Sequence, residues 1–525
     1  MNRRTPRRSV AVLAAALLAG TACEAAPGGS SPGKGATAAA SPQQTRHIEP
    51  MAPGTAPAVR PPAEHRVTTP DSDFNGDGLQ DAVLAAPQAN TVVIVYGDRK
   101  GAGPDRRQVL TNKSSGVPKA GVDPASGPLS RFGGRSVAGD LDSDGYADLV
   151  LASHYENAVD GAEAWYSIAV VWGSPSGLGR SRPGLLLRHS GTGEAPFGVE
   201  LALCDFNGDR SLDLATTAGN HVLRVLPGPI TMRGTRRPVT LKEHGVGLAA
   251  GDVNGDGRCD LVVGGNTVYA GTPRGYLRQV KKLDNGTPSQ SVIGDVNGDG
   301  YGDLIVGSTA TFTPARDDRR PDPAGGRIAV HPGSRDGLSR KSAQIFHQGT
   351  PGVPGAPEPA DDAGTRDGDD FGARLAVGDC DRDGRTDIAI GSPDESLGSV
   401  EAAGAVIVLH GSRNGLTVAG VQAINHNTPG VPGKLKAGDH FGTSLRLLDV
   451  TGDGRAELFA GTPFENRREP GNYRLEDRGG VYYFPATAQG TLTTTGSWTH
   501  GPQAFGVPKV PAEHGNEHFG YDLGR

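Results

Sequence analysis

The chain has 525 residues, among them 80 glycines and 40 prolines, with only 5% aromatic and 36% hydrophobic residues. That composition excludes architectures built on long helices and suits many short elements joined by turns, an all-β protein. Its 52 basic residues nearly balance 58 acidic ones, a formal net charge of −6, which leaves no electrostatic footprint for nucleic acid.

In chain order, Arg3, Arg4, Arg7 and Arg8 precede an apolar run from Val10 to Gly20. The run is too short for a permanent membrane span and has the form of a secretory signal, so residues 1–22 read as a signal peptide and the mature protein as exported. Gly20-Thr21-Ala22-Cys23 is similar to a bacterial lipobox, although that motif prefers Leu where Gly20 stands. Cys23 is therefore the candidate for lipidation and the one route to a membrane anchor, with a freely secreted protein as the alternative. Residues 23–70 are dominated by Pro, Ala, Gly, Ser and Thr and cannot bury enough apolar surface to fold. They read as a disordered tether to a folded domain over 71–525. The remaining cysteines, Cys204, Cys259 and Cys380, form no C-x-x-C pair and read as buried or unpaired thiols; their spacing defines no disulfide.

Within the folded domain a nine-residue pattern, D-x-D/N-x-D-G-x-x-D, begins at Asp73, Asp140, Asp205, Asp252, Asp295, Asp379 and Asp449. Calcium is a hard cation that takes six to eight oxygens at about 2.3–2.6 Å, and side chains at alternate positions of a tight loop can converge to supply them. The predicted ligands are Asp73, Asn75, Asp77 and Asp81; Asp140, Asp142, Asp144 and Asp148; Asp205, Asn207, Asp209 and Asp213; Asp252, Asn254, Asp256 and Asp260. The set continues with Asp295, Asn297, Asp299 and Asp303; Asp379, Asp381, Asp383 and Asp387; and Asp449, Asp453 and Glu457. One acidic Gly-rich loop could be a solvated turn, but seven copies at matching spacing are not explained that way. An EF-hand would need a Glu at position twelve, where these loops have Leu84, Leu151, Thr216, Val263, Val306, Ile390 and Ala460, so that class is rejected. The pattern weakens at 205–213, where Arg210 replaces Gly, and at 449–457, where Thr451 and Glu457 stand at the third and ninth positions.

Each loop is followed by a short strand-like run ending in a turn, such as Asp387-Ile-Ala-Ile-Gly-Ser-Pro393. Phe132-Gly133, Phe197-Gly198, Phe371-Gly372 and Phe441-Gly442 each lie eight residues before a loop's first Asp. A third strand signal, seen in Ile168–Ser174, Arg327–Ser334 and Ala405–Ser412, also recurs. Together these motifs resemble the FG-GAP repeat of integrin alpha subunits, over nearly all of Asp73 to Arg525. The resemblance implies a seven-bladed β-propeller of four-stranded blades with calcium in its loops. The first loop has no Phe-Gly before it, whereas Phe519-Gly520 has no loop after it. These complementary halves predict that the C-terminal strand joins the first blade and closes the ring.

In an up-and-down blade the acidic loops gather at one end. The longest connections, His154 to Trp165, Thr309 to Gly326, Pro351 to Asp370, Asp394 to Gly404 and Phe464 to Gly479, fall at the other. Loops on a rigid scaffold commonly carry binding sites, and integrin ligand contacts likewise lie opposite the calcium loops. The candidate ligand-binding residues are His154, Tyr155, Trp165, Arg319, Arg320, Phe464, Arg467, Arg468 and Tyr473, a mixture of aromatic platforms and charge. The expected activity is binding or adhesion by a monomeric propeller to an extracellular protein or polysaccharide. The competing reading is a hydrolase or lyase acting on extracellular polysaccharide from the same face; a purely structural surface protein is the third. Within the folded domain, residues 71–525, no H-E-x-x-H, G-x-S-x-G or P-loop motif is present, so no catalytic residue is assigned. His347, His426 and His500 recur near similar linkers and read as structural parts of the repeat.

Overall fold

A computed structural model of the protein describes residues 72–118, 130–155, 167–188, 197–218, 222–243, 247–275, 277–286, 288–309, 325–358, 368–464, 479–510 and 518–524. Seven antiparallel sheets make seven blades of a β-propeller, six of them four-stranded and one three-stranded. Among the described residues the one helical element is a 3-10 turn at Pro87–Ala89.

Burial explains why the strands have their sequences. The second strands, including Asp303–Ser308, Asp387–Ser392 and Glu457–Thr462, are buried along their whole length, so they are continuous apolar runs without alternation. Outer strands such as Arg278–Lys282 are exposed and charged, which blunts an edge that would otherwise template further pairing. No blade has a core of its own. The buried apolar residues form seven clusters, each shared by two adjacent blades, and the cluster holding Leu84, Phe459 and Phe519 joins the seventh blade to the first.

The three-stranded sheet, Ala82–Ala86, Thr91–Val95 and Arg107–Thr111, is the first blade. Its innermost place is filled from the C-terminal end: Gly520 N–H donates to Ala85 O at 2.9 Å and Ala85 N–H donates to Asp522 O at 2.9 Å. Phe519 bridges Gly479 in parallel, as Phe441 bridges Gly404 and Phe371 bridges Gly326, so the seam repeats an ordinary contact between blades. The Phe-Gly glycine is required by that contact. Gly520 has φ +82°, and a Cβ on it would stand 2.6 Å from Gly480 O.

The reading of the cysteines as thiols is corrected at two of three positions. Cys204, at the end of the first strand of blade three, is bonded to Cys259 in the acidic loop of blade four, their Cα atoms 6.0 Å apart. Residues 55 apart in sequence meet because successive blades stack side by side. Cys380 is a buried free thiol.

Candidate metal centres

All seven acidic loops share one hydrogen-bonded frame. The carboxylate at position one accepts the N–H of position five on Oδ1 and that of position six on Oδ2, as Asp252 does from Asp256 at 3.2 Å and Gly257 at 2.9 Å. The position-nine carboxylate accepts the N–H of position two in every loop. In six loops it also accepts an N–H from a glycine at or just past the end of the third strand, as Asp148 does from Gly173 at 2.8 Å. The seventh has Ala486 in that register and Glu457 at position nine, and the longer side chain accepts the Thr451 hydroxyl at 2.9 Å. Backbone donors thus hold the acids in place while leaving other oxygen lone pairs available.

The two weakened loops keep the frame. Arg210 adopts the left-handed backbone normally left to Gly, with φ +68°, and its N–H still reaches Asp205 Oδ2 at 2.7 Å. In the seventh loop Asp449, Asp453 and Glu457 bring ligand oxygens within 4.8 Å of one another, as do Asp140, Asp142 and Asp148 in the second and Asp379, Asp381 and Asp383 in the sixth.

The electrostatics favour a cation. Burial pushes the position-nine carboxyls far above the usual range: Asp81 and Asp148 to about 8, Asp213, Asp260 and Glu457 to about 7, and Asp303 to about 6, even though backbone donors act in the opposite direction. A divalent cation would offset the cost of ionising them. Several outer carboxylates meet guanidinium groups instead, including Asp142 with Arg182 at 2.5 Å and Asp209 with Arg236 at 3.0 Å; the second of these pairs lies at an exposed edge, where such contacts contribute little.

The family model of the FG-GAP repeat matches residues 132–164, 287–330, 371–409 and 441–484, which fall on blades two, five, six and seven. The other three blades carry the same loop frame, and two of them the same four-stranded order. The chain is an FG-GAP β-propeller. The first blade of the FG-GAP propeller draws its Phe-Gly from the other end of the chain, the third has Arg210 and the fourth has His244-Gly245 in sequence eight residues before Asp252, departures that explain a weaker sequence signal there. Human integrin alpha-E is 36% identical over 95 residues, 17% of this chain and 8% of that protein, so the likeness spans a small part of the integrin. Among solved structures, BBS1N in complex with ARL6DN superposes with a TM-score of 0.37 at 10% identity, over 76% of this chain and 91% of that one. The exotype rhamnogalacturonan lyase YesX gives 0.36 at 12% identity, over 75% and 70%. At such scores the likenesses are too loose to bear on function.

Of the predicted ligand-binding residues, Trp165, Arg319, Arg320, Arg467, Arg468 and Tyr473 lie outside the described residues of the FG-GAP propeller, as does Cys23. His154 and Tyr155 end the second strand of blade two, paired with Arg131 and Ser130. Phe464 is half-buried and packs edge-on against His440 and His518, with ring centroids 5.4 and 5.5 Å apart. The structure thereby adds residues that the sequence reading did not single out. His440 Nδ1 lies 2.6 Å from Asp394 Oδ1, and His440 and His518, each preceding a Phe-Gly, have φ +50° and +49°. The signal for them was the position before Phe-Gly, shared with Asp370 at φ +56°. His426 bonds the Tyr482 hydroxyl and His500 stacks on Trp498, so these histidines serve separate inter-strand contacts.

Proposed function

We propose that the FG-GAP propeller is an exported binding or adhesion module, stiffened by calcium in its acidic loops and engaging an extracellular protein or polysaccharide with the opposite face. The observation that carries this reading is the division of labour between the two ends. One end has seven prebuilt acidic frames, whereas at the other His440, Phe464 and His518 meet beside the closing strand. Calcium would be held by the side chains at positions one, three, five and nine, and its chemistry is neutralisation of crowded, half-buried carboxylates. Among the described residues no helix is long and apolar enough to cross a membrane. Attachment to the cell surface belongs to Cys23, and Cys23→Ser should move a tethered protein into the medium.

The test is incubation of the mature protein, in calcium or in chelator, with a panel of polysaccharides and cell-envelope components, reading retention and released products by mass spectrometry. Calcium-dependent retention without products is expected and names the ligand class. Released fragments would replace this reading with a polysaccharide-cleaving enzyme.

A further inference from the structure

The sixth acidic loop has a neighbour that the other six lack. The third strand of its blade, Ala405–Ser412, brings His410 to the register position occupied elsewhere by Tyr96, Trp172, Pro227, Ala270, Pro332 and Pro485. His410 is nine-tenths buried, and its Nδ1 makes no hydrogen bond to any group outside the acidic loop. That nitrogen faces the loop, 3.3 Å from Asp387 Oδ1 and 3.9 Å from Asp381 Oδ2. The ligand atoms of Asp381, Asp387 and His410 all lie within 4.8 Å of one another. The backbone accommodates the ring: pairing with the fourth strand shifts register between Val408 and His410, and a Cβ on Gly420 would come within 3.3 Å of the imidazole Cδ2.

We propose that the sixth loop is a first-row transition-metal site, with His410 Nδ1, Asp381 and Asp387 as ligands, inside a propeller whose other loops take hard cations. The proposal rests on the reading of the acidic loops as cation sites. Calcium coordinates oxygen and gains nothing from a buried imidazole, whereas zinc and its neighbours bind imidazole strongly. At zinc–ligand distances of about 2.0–2.1 Å, two ligands of one tetrahedral ion stand about 3.4 Å apart, which the observed separations approach before any ion draws them in. The ligating Nδ1 offers its lone pair while Nε2 keeps the proton, and Asp387 stays oriented by the N–H groups of Cys380 and Gly411 at 2.8 and 2.9 Å.

Zinc alone is the probe. The full chain is loaded with zinc and dialysed against excess calcium, and bound metal is measured by mass spectrometry. One zinc per chain is expected to remain. His410→Ala, the residue standing at this position in blade four, and His410→Tyr, that of blade one, should each weaken zinc at least about tenfold while leaving the calcium-dependent rise in melting temperature intact. Cobalt in place of zinc should show visible absorption in the wild type that both variants lose. Retention of equal zinc by wild type and variants, or of none by the wild type, overturns the proposal. Calcium-dependent stabilisation without zinc retention would sink this inference and leave the calcium reading standing, whereas indifference to both metals would remove both.

Discussion

Arg210 holds with φ +68° a position that Gly fills in the six sibling loops, a conformation that costs a residue with a Cβ about 1–3 kcal/mol. Arg210→Gly should therefore raise the unfolding free energy, by up to about 1 kcal/mol once the greater freedom of glycine in the unfolded chain is deducted. Denaturant titration checks it, and an unchanged midpoint would mean the loop bears no strain. Asp369, on the opposite face, supplies a second prediction. It is 1% exposed, and burial, together with Glu395, Glu358 and Asp370, pushes its carboxyl up to about 7 from an unfolded value of 3.8. The folded state then binds more protons than the unfolded state between those values. The contribution to stability is complete below about pH 4 and is lost as pH rises through about 7. Asp369→Asn should flatten that part of the melting profile relative to wild type; parallel profiles would show that Asp369 ionises normally. The acidic ligands could be read from sequence because their spacing is local. His410 and His440 could not, since each reaches its carboxylate partner across strands distant in sequence.

At the scale of the element, the decisive piece is the segment 519–523, which completes the first blade through Ala85 and packs Phe519 and Leu523 into the last shared cluster. Removing residues 519–525 should unfasten the ring. The expected outcome is a melting temperature lowered for the whole propeller rather than a loss confined to blade one, because every cluster depends on two neighbours. A truncated protein that melts like the full chain would show the seam to be dispensable. Closure was legible from the complementary half-repeats at the two ends, and the strands from their apolar runs between Gly-rich turns. The Cys204–Cys259 bond was not, because it depends on which loop lies beside which strand once blades are stacked.

For the whole molecule, calcium should act as a distributed brace. A ligand present at a hundredfold its dissociation constant stabilises by about 2.7 kcal/mol per site, and several filled loops would act together. Chelation should accordingly lower the melting temperature, with calcium restoring it; identical melts in both conditions would take calcium out of the stability of this fold. The sharing of every core by two blades makes the ring one cooperative body, so the metal's effect is expected in a single transition. That the molecule is a propeller was legible because repetition multiplies a weak local signal sevenfold. What its opposite face recognises was not, since that chemistry sits in connections that do not repeat.

The seam also has a consequence for how the protein is made. The innermost strand of the first blade follows the other six blades in the chain, so a nascent chain can assemble those six yet still expose the flank of Ala82–Ala86 until residues 519–523 have been added. The ring therefore closes only once residues 519–523 are made, and a product terminated before them carries an unpaired strand that proteases can recognise.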